Sequence, residues 1–183
     1  MKIYTRTGDE GLTGLLGGDR IAKDSERIEA IGAIDELNAY LGVCCTTIDN
    51  PAYLEKLERI QNSLFDLGSE LACPPGGKFN LTSVTVADIE RLEKEIDEMD
   101  SELLPLKEFI LPGGSVASAH LHYLRAVCRR AERGLFRLQG VNPVRREPII
   151  YINRLSDWIF CFSRLLNHQS GVAERKWTKR ENK

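Results

Sequence analysis

The chain has 183 residues, of which 42% are hydrophobic and 28% are charged, and its formal net charge is −2 at pH 7. This length predicts a single domain with its own core, and the ordinary composition excludes a globally disordered chain. The small net charge excludes a strong overall field, so we expect no binding to nucleic acid or anionic membranes. No apolar run reaches the roughly 20 residues of a membrane span, and no apolar segment typical of a signal peptide follows Met1. We therefore expect a cytoplasmic protein.

Cysteine and histidine usage agrees with that expectation. The five cysteines are an odd number and form no C-x-x-C pair, which favours reduced thiols that serve mainly as small core residues. Cys44 and Cys45 are adjacent and cannot easily bridge each other. His120 and His122 lie two residues apart, so on a helix they point to different faces. We expect no metal site from that pair.

Residues 1–23 are rich in glycine, with Gly8, Gly11, Gly14, Gly17 and Gly18 close together. This density predicts a loop without a helix or a regular strand. Glycine backbone N–H groups can converge on an anion, and nearby threonine hydroxyls and Lys23 could complete a phosphate-binding loop. The segment has neither the Gly-Lys-Ser/Thr of a P-loop nor a G-x-G-x-x-G fingerprint. A plain loop is an equally good interpretation on these grounds alone.

Two helices are predicted between residue 24 and the proline-rich turn at residues 74–77. Asp24 or Ser25 can cap the first helix, and its apolar residues recur at Ile28, Ile31, Ile34, Leu37, Leu41 and Cys45. Pro51 is predicted to break it. The second helix has apolar residues at helical spacing, namely Leu54, Leu57, Ile60, Leu64, Leu67 and Leu71.

Three further helices are predicted after that turn. The third opens near Thr85, where Asp88 completes a pattern typical of a capping box, and it buries Ile89, Leu92, Ile96 and Met99. The fourth runs from an N-cap at Ser115 to about Gln139. The fifth runs from about Pro148 to Gly171 and buries Ile149, Ile152, Leu155, Ile159, Phe162 and Leu166.

Five helices without a convincing strand predict an all-α, up-and-down five-helix bundle. We interpret residues 1–183 as one domain, with a glycine-rich loop at 1–23, helices at 24–170 and a charged tail at 171–183. Trp177 is the residue best suited to dock that tail.

The fourth helix carries arginine at every fourth position, Arg125, Arg129, Arg133 and Arg137, with Arg130 beside them. Like charges four residues apart repel each other by roughly 0.2–0.5 kcal/mol per pair. One interpretation is a solvated face on which Glu132 relieves part of the repulsion. We favour an anion-binding face, because the row is nearly pure arginine and arginine suits bidentate contact with phosphate or carboxylate.

Three other polar or aromatic features have weaker signals. Asn153 and Asp157 lie four residues apart in an apolar stretch, so they either have buried partners or mark the solvent face. Asp35-Glu36 and Asn38 on the first helix raise the same question. Phe109 precedes Pro112-Gly113-Gly114, and taken alone it is best interpreted as a core aromatic.

Six motifs in this order resemble those of the PduO-type ATP:cob(I)alamin adenosyltransferases, over about residues 3–170. The N-terminal half contributes Thr5-Arg6-Thr7-Gly8-Asp9-x-Gly, Gly17-Gly18-x-Arg20 and Asp35-Glu36-Leu37-Asn38. The C-terminal half contributes Phe109-Ile110-Leu111-Pro112-Gly113-Gly114, Arg125-x-x-x-Arg129-Arg130-Ala131-Glu132-Arg133 and Tyr151-Ile152-Asn153-Arg154-Leu155-Ser156-Asp157.

The resemblance implies a homotrimer with active sites between subunits. It also implies transfer of the 5′-deoxyadenosyl group of ATP to the cobalt of a reduced corrinoid, with adenosylcobalamin and triphosphate as products. Mg²⁺ would accompany ATP, and a flavin-type reductase and a B12-dependent enzyme would be transient partners. The family's ATP contacts fall on Thr5, Arg6, Thr7, Gly8, Thr13, Lys23, Arg129, Arg130, Glu132, Arg133 and Asn153.

The resemblance implies the corrinoid residues as well. Asp35 and Arg125 match a pair that joins neighbouring subunits beside the corrinoid, and Phe109 matches the aromatic residue at the lower axial face of cobalt. Gly14 departs from the hydroxyl or charged side chain often found in the family, so any ATP contact there would come from its backbone. The stretch from Ala173 to Trp177 matches only loosely.

Two rival functions remain open from the sequence. One is another ATP-using enzyme, such as a phosphotransferase, although no obvious catalytic base or cluster of metal-binding carboxylates supports it. The other is a non-catalytic helical module that binds an acidic partner through its arginines.

Overall fold

The computed structural model describes residues 3–73, 79 and 81–179, and within them it contains five helices and two short strands. The prediction of five helices is confirmed, whereas the turn predicted at residues 74–77 lies outside the described residues. The elements are β1 (Leu12–Gly14), β2 (Arg20–Ala22), α1 (Glu26–Cys45), α2 (Pro51–Leu71), α3 (Val86–Ser101), α4 (Val116–Val141) and α5 (Arg146–Gln169).

The prediction that the glycine-rich segment has no strand is wrong. β1 and β2 pair antiparallel, with Thr13 opposite Ile21. The two glycines that most need their conformational freedom, Gly17 and Gly18, have φ values of +117° and +99° and lie in the turn between the strands. Because β-branched residues occupy the central pair and the flexible glycines occupy the turn, the segment forms a hairpin rather than an irregular loop.

Capping side chains begin the helices as predicted. The Ser25 hydroxyl, rather than Asp24, accepts a hydrogen bond from the backbone N–H of Ile28 at the start of α1. The Asp88 carboxylate accepts from the backbone N–H of Thr85 at 2.9 Å and completes the capping box of α3. Ser115 caps α4. These bonds satisfy backbone donors that have no partner within the helix.

Some predicted helix ends are wrong. α1 ends at Cys45, before Pro51, which instead begins α2 directly after the N-cap Asn50. Proline is favoured in the first turn of a helix because the N–H that it lacks has no partner there. α4 ends at Val141, close to the end predicted at about Gln139, and α5 begins at Arg146, close to the start predicted near Pro148.

The helices pack in an order that differs from their order along the chain. α1 contacts α2 and α4, α4 also contacts α5, and α5 also contacts α3. Contacts between side chains give the directions: Glu36 of α1 meets Arg130 of α4, whereas Glu26 meets Arg137, so these two helices run antiparallel. Leucine and isoleucine side chains from all five helices form one core, in which Trp158 is fully buried.

One buried carboxylate lies among these apolar side chains and was not foreseen from the sequence. Glu95 of α3 is only 7% exposed. One of its oxygens accepts a hydrogen bond from Arg59 Nη2 of α2 at 2.7 Å, and the other accepts from Trp158 Nε1 of α5 at 2.8 Å. Glu95 therefore joins three helices, and both carboxylate oxygens have partners, as burial requires.

We predict that Glu95→Ala lowers the free energy of unfolding by about 1–3 kcal/mol, because it leaves the buried Trp158 N–H without an acceptor. Glu93→Ala is the matched control, since Glu93 lies on the same helix and pairs with Arg154 at 2.9 Å in a half-exposed position. The control should cost less than about 1 kcal/mol. Urea denaturation of both variants measures the difference, and equal losses would contradict the structural role given to Glu95.

Candidate functional site

The arginine row of α4 lies on the face that remains after the apolar face has packed inward. Leu124, Cys128, Ala131, Leu135 and other residues of α4 are buried, so the arginines lie along the opposite side. Two of these arginines have acidic partners and two have none, whereas Arg125 packs against the Phe160 ring. Arg130 forms an ion pair with Glu36, and Arg137 lies 3.5 Å from Glu26. Arg129 and Arg133 are exposed, and neither forms a hydrogen bond or an ion pair with any described residue.

A neutral–acidic pair lies beside the unpaired arginines. The side-chain amide of Asn153 on α5 donates a hydrogen bond to the Glu132 carboxylate at 2.8 Å, and both residues are accessible to solvent. The structure thus joins two residues that the sequence motifs placed on different helices. Asn153 therefore lies on the solvent face of α5, and its partner there is Glu132.

The N-terminal segment is folded back on itself by hydrogen bonds. The Arg20 guanidinium donates to the backbone carbonyls of Thr7 and Leu12. The hydroxyls of Thr5 and Thr7 lie 2.8 Å apart. Arg6 has φ of +61°, a conformation that residues other than glycine rarely adopt.

Lys23 lies over one of the glycines in this segment. A Cβ atom built on Gly8 would be 3.2 Å from Lys23 Nζ, so the ammonium group lies directly above the backbone at Gly8. The backbone N–H of Lys23 donates to the Gly11 carbonyl at 2.8 Å. The hairpin therefore brings a cation next to the Thr-Gly stretch, which is the arrangement that an anion-binding loop needs.

A cavity of about 590 Å³ lies between the hairpin, α1 and α2. Thr13, Gly14 and Lys23 line one side, and Asp35 lines another, together with apolar side chains that include Ile31 and Phe65. The loop residues thus share a cavity with Asp35. No arginine of α4 is among the residues that line it, so one chain presents the two groups of candidate ATP ligands on different surfaces.

Asp35 and Arg125 also face different neighbours within the chain. Asp35 is exposed beside the cavity, whereas the guanidinium carbon of Arg125 lies 5.6 Å from the centre of the Phe160 ring on α5. Arg125 Nε is buried, and within the described residues it has no hydrogen-bond partner. The structure therefore does not bring this predicted pair together inside one chain.

The two histidines of α4 contact different helices. His120 shares a hydrogen bond of 2.8 Å with the Tyr40 hydroxyl of α1, and His122 is buried next to Ser163 of α5. Burial and the nearby Arg125 both lower the pKa of His122, so its imidazole is neutral at pH 7. No group of three or more His, Cys, Asp or Glu side chains suited to a metal ion occurs within the described ranges.

Phe109 is not a core aromatic, so that interpretation is wrong. Its side chain is 77% exposed on the connection between α3 and α4. The Phe109 carbonyl accepts a hydrogen bond from the backbone N–H of Trp177 at 2.8 Å. The two rings meet edge to face, with centroids 6.4 Å apart. The Phe109 ring therefore lies at the surface, where it is accessible to a ligand.

Two contacts near this site were not predicted from the sequence. Glu36 belongs to the Asp35-Glu36-Leu37-Asn38 motif, but its role as the partner of Arg130 depends on how α1 packs against α4. The described part of the C-terminal tail packs against the connection between α3 and α4, through the Trp177 ring on Phe109 and through a backbone bridge between Ile110 and Lys176. Neither contact has a local sequence signal, because the partners are far apart in the chain.

None of the described helices is long and apolar enough to cross a membrane.

Known proteins resemble this chain over nearly its whole length. It is 43% identical over 177 residues to a cobalamin adenosyltransferase from Cupriavidus metallidurans, which covers 96% of this chain and 94% of that protein. It is 44% identical over 165 residues to a corrinoid adenosyltransferase from Citrobacter freundii, which covers 90% of this chain and 94% of that protein.

Solved structures have the same fold. A variant of the PduO-type ATP:corrinoid adenosyltransferase from Lactobacillus reuteri, complexed with cobalamin and ATP, superimposes with a TM-score of 0.94 at 32% identity and covers 97% of this chain and all of that one. A profile of the family described as Cobalamin adenosyltransferase matches residues 3–166. With this match, and with relatives above 40% identity along both chains, the protein belongs to the cobalamin adenosyltransferase family.

Proposed function

We propose that this protein transfers the 5′-deoxyadenosyl group of ATP to the cobalt of reduced cob(I)alamin, releasing adenosylcobalamin and triphosphate, and that the whole chain serves as one adenosyltransferase domain. The observation that carries the proposal is the exposed pair Arg129 and Arg133, which have no acidic partner among the described residues. Two unpaired guanidinium groups one helical turn apart suit the oxygens of a polyphosphate. The similarity to corrinoid adenosyltransferases supports a corrinoid as the second substrate.

The reaction needs no nucleophilic side chain. Cob(I)alamin attacks C5′ of ATP with the electron pair of Co(I), the bond between C5′ and the triphosphate oxygen breaks, and the triphosphate takes the electron pair of that bond. The protein must hold C5′ in line with cobalt and stabilise the charge that grows on the leaving group. Arginine side chains perform the second task, with Mg²⁺ bound to the phosphates as part of the substrate.

Two surfaces of the chain share the binding of ATP in this proposal. One is the hairpin segment, with Thr5, Arg6, Thr7, Gly8, Thr13, Lys23 and the backbone of Gly14. The other is the exposed side of α4 and α5, with Arg129, Arg130, Glu132, Arg133 and Asn153. The ammonium group of Lys23 above Gly8 supports the first surface, and the hydrogen bond between Glu132 and Asn153 supports the second.

We infer a homotrimer because these two surfaces do not meet in one chain. A cyclic trimer would bring the hairpin of one subunit against α4 of the next and would complete the site at each interface. Asp35, exposed beside the hairpin cavity, would then pair with Arg125 of the neighbouring subunit. Arg125 Nε, buried without a partner in the described chain, supports a missing acceptor at this position.

Phe109 would cover the lower axial face of cobalt. Co(II) that carries an axial ligand is hard to reduce, so an aromatic side chain that keeps this face free of ligand makes the formation of Co(I) easier. The exposed position of the Phe109 ring supports such a contact. A flavin-type reductase would supply the electron and a B12-dependent enzyme would receive the product, with all partners in the cytoplasm.

The direct test of the proposal mixes chemically reduced cobalamin, Mg-ATP and the protein and follows the absorption spectrum. We expect conversion to adenosylcobalamin together with one equivalent of triphosphate. Release of ADP or diphosphate would indicate a phosphotransferase, and stabilisation by neither ATP nor corrinoid in a thermal-shift assay would indicate a non-catalytic helical module.

We predict that Arg129→Ala lowers kcat by about 10²–10³-fold without loss of helical circular dichroism, because it removes one charged contact to the leaving group. Arg137→Ala is the matched control on the same helix. Arg137 already pairs with Glu26 and lies beyond the matched motif, so this variant should keep most of its activity. Similar kinetics for both variants would refute a special role for Arg129.

Phe109→Ala should separate reduction from transfer. ATP affinity should persist, whereas the spectroscopic signal of four-coordinate Co(II) should fall because the lower face is no longer shielded. We expect a smaller loss of activity from pre-reduced Co(I) than from Co(II) with a reductase. Equal losses in both assays would assign Phe109 a packing role only.

Asp35→Asn and Arg125→Ala should each impair the use of corrinoid more than ATP affinity, and the double variant should fall well short of additivity because both changes remove one contact. Coexpression of the two single variants should restore part of the activity, since some interfaces in a mixed trimer regain an intact pair. Light scattering on the same samples should give about three times the chain mass. Additive losses without recovery would refute the pairing between subunits.

A further inference from the structure

The segment that carries Phe109 is the connection between α3 and α4, and the buried side-chain amide of Asn167 fixes its C-terminal end to α5. Asn167 lies near the end of α5 and is only 2% exposed. Its Oδ1 accepts a hydrogen bond from the Ser115 N–H at 2.9 Å, and its Nδ2 donates to the Gly113 carbonyl at 3.2 Å. One side chain therefore satisfies both a backbone donor and a backbone acceptor on either side of Gly114.

Gly114 allows this close approach. A Cβ atom at position 114 would lie 2.2 Å from Asn167 Oδ1, which is far too close for any side chain. Its φ of +111° is also a conformation that favours glycine. The amide of Asn167 thus occupies the space beside the Gly114 backbone, and only glycine at position 114 leaves room for it.

The part of the segment that precedes Leu111 has little support from packing. A cavity of about 540 Å³ lies behind it, lined by Leu104, Leu106, Ile110, Arg164, Val172 and Glu174 among others. Ile110 faces this cavity. Close-packed side chains would otherwise hold an exposed connection in place, so polar contacts must do more of this work here.

The same end of α5 also holds the segment through the C-terminal tail. The buried Arg164 donates from Nη2 to the Leu104 carbonyl and from Nε to the Glu174 carboxylate, both at 2.9 Å. Directly beyond Glu174, the Arg175 carbonyl accepts from the Leu111 N–H at 2.7 Å. Arg164 thus fixes the start of the segment directly and its middle by way of the tail.

We propose that Asn167 is a positioning residue for Phe109: through Gly113 and Ser115 it sets the place of the Phe109 ring at the lower face of the corrinoid, with Arg164 as the second anchor. The proposal rests on the proposed function, because it gives Asn167 a role only if Phe109 covers the cobalt. Asn167 itself lies behind the segment and is buried, so it acts through the backbone and touches no substrate.

The test compares Asn167→Ala with Gln169→Ala in the full-length protein. Gln169 is a suitable control because it is also an amide at the end of α5 and has a tertiary hydrogen bond, to the Tyr53 hydroxyl. Unlike Asn167, it is exposed and forms no hydrogen bond with the described segment that carries Phe109. With ATP bound, Asn167→Ala should lower the signal of four-coordinate Co(II) about tenfold, whereas Gln169→Ala should leave it unchanged. ATP affinity should stay within about twofold of the original in both variants.

A second pair of variants keeps the proposal falsifiable if Asn167→Ala fails to fold. Asn167→Asp keeps the acceptor for Ser115 but loses the donor to Gly113, so it should retain more of the four-coordinate signal than Asn167→Ala. Gly114→Ala displaces the amide from the other side and should lose the signal while the helical circular dichroism remains.

The outcomes distinguish the two proposals. If the original protein forms no adenosylcobalamin, the proposed function fails. If it forms the product, and Asn167→Ala or Gly114→Ala folds and keeps the four-coordinate signal at the level of Gln169→Ala, the positioning role fails. Equal losses of activity from Co(I) and from Co(II) would also overturn it, because a displaced Phe109 should impair chiefly the reaction that starts from Co(II).

Discussion

The packing of α4 between α1 and α5 is the constraint on which the rest of the structure depends. Both neighbours bury the apolar side of α4, so its arginines lie on the remaining surface, except Arg125, which packs on Phe160 of α5. The antiparallel contact with α1 then decides which of them are neutralised, because Glu36 meets Arg130 and Glu26 meets Arg137. Arg129 and Arg133 are left exposed without acidic partners in the described chain, and in the function proposed above they would bind the triphosphate of ATP.

The same constraint separates the candidate ATP ligands. The hairpin lies over the groove between α1 and α2, whereas the arginines lie on the side of α4. In the homotrimer proposed above, a neighbouring chain would join the two surfaces. The same proposal would give the unsatisfied Arg125 Nε an acceptor, the exposed Asp35 of a neighbouring subunit.

The end of α5 holds the segment that carries Phe109 by contacts of a different kind. Exposed ion pairs such as Arg130 with Glu36 contribute little to stability, and their side chains can exchange partners when a ligand arrives. The contacts of Asn167 and Arg164 are buried and directed at backbone atoms, so they are costly to break. The protein thus combines adaptable charges, where the phosphates of ATP would bind, with a fixed backbone beneath Phe109.

The amino-acid sequence by itself determined the five helices, because apolar periodicity and capping residues such as Ser115 and Thr85 are local signals. It also predicted the candidate site residues, through motifs that each lie within a short stretch. Only the tertiary structure decided that Gly14 lies in a strand, that Phe109 is exposed and that Glu95 is buried. These outcomes depend on contacts between residues far apart in the chain, such as Asn167 with Gly113, and no local pattern specifies which helix faces will meet.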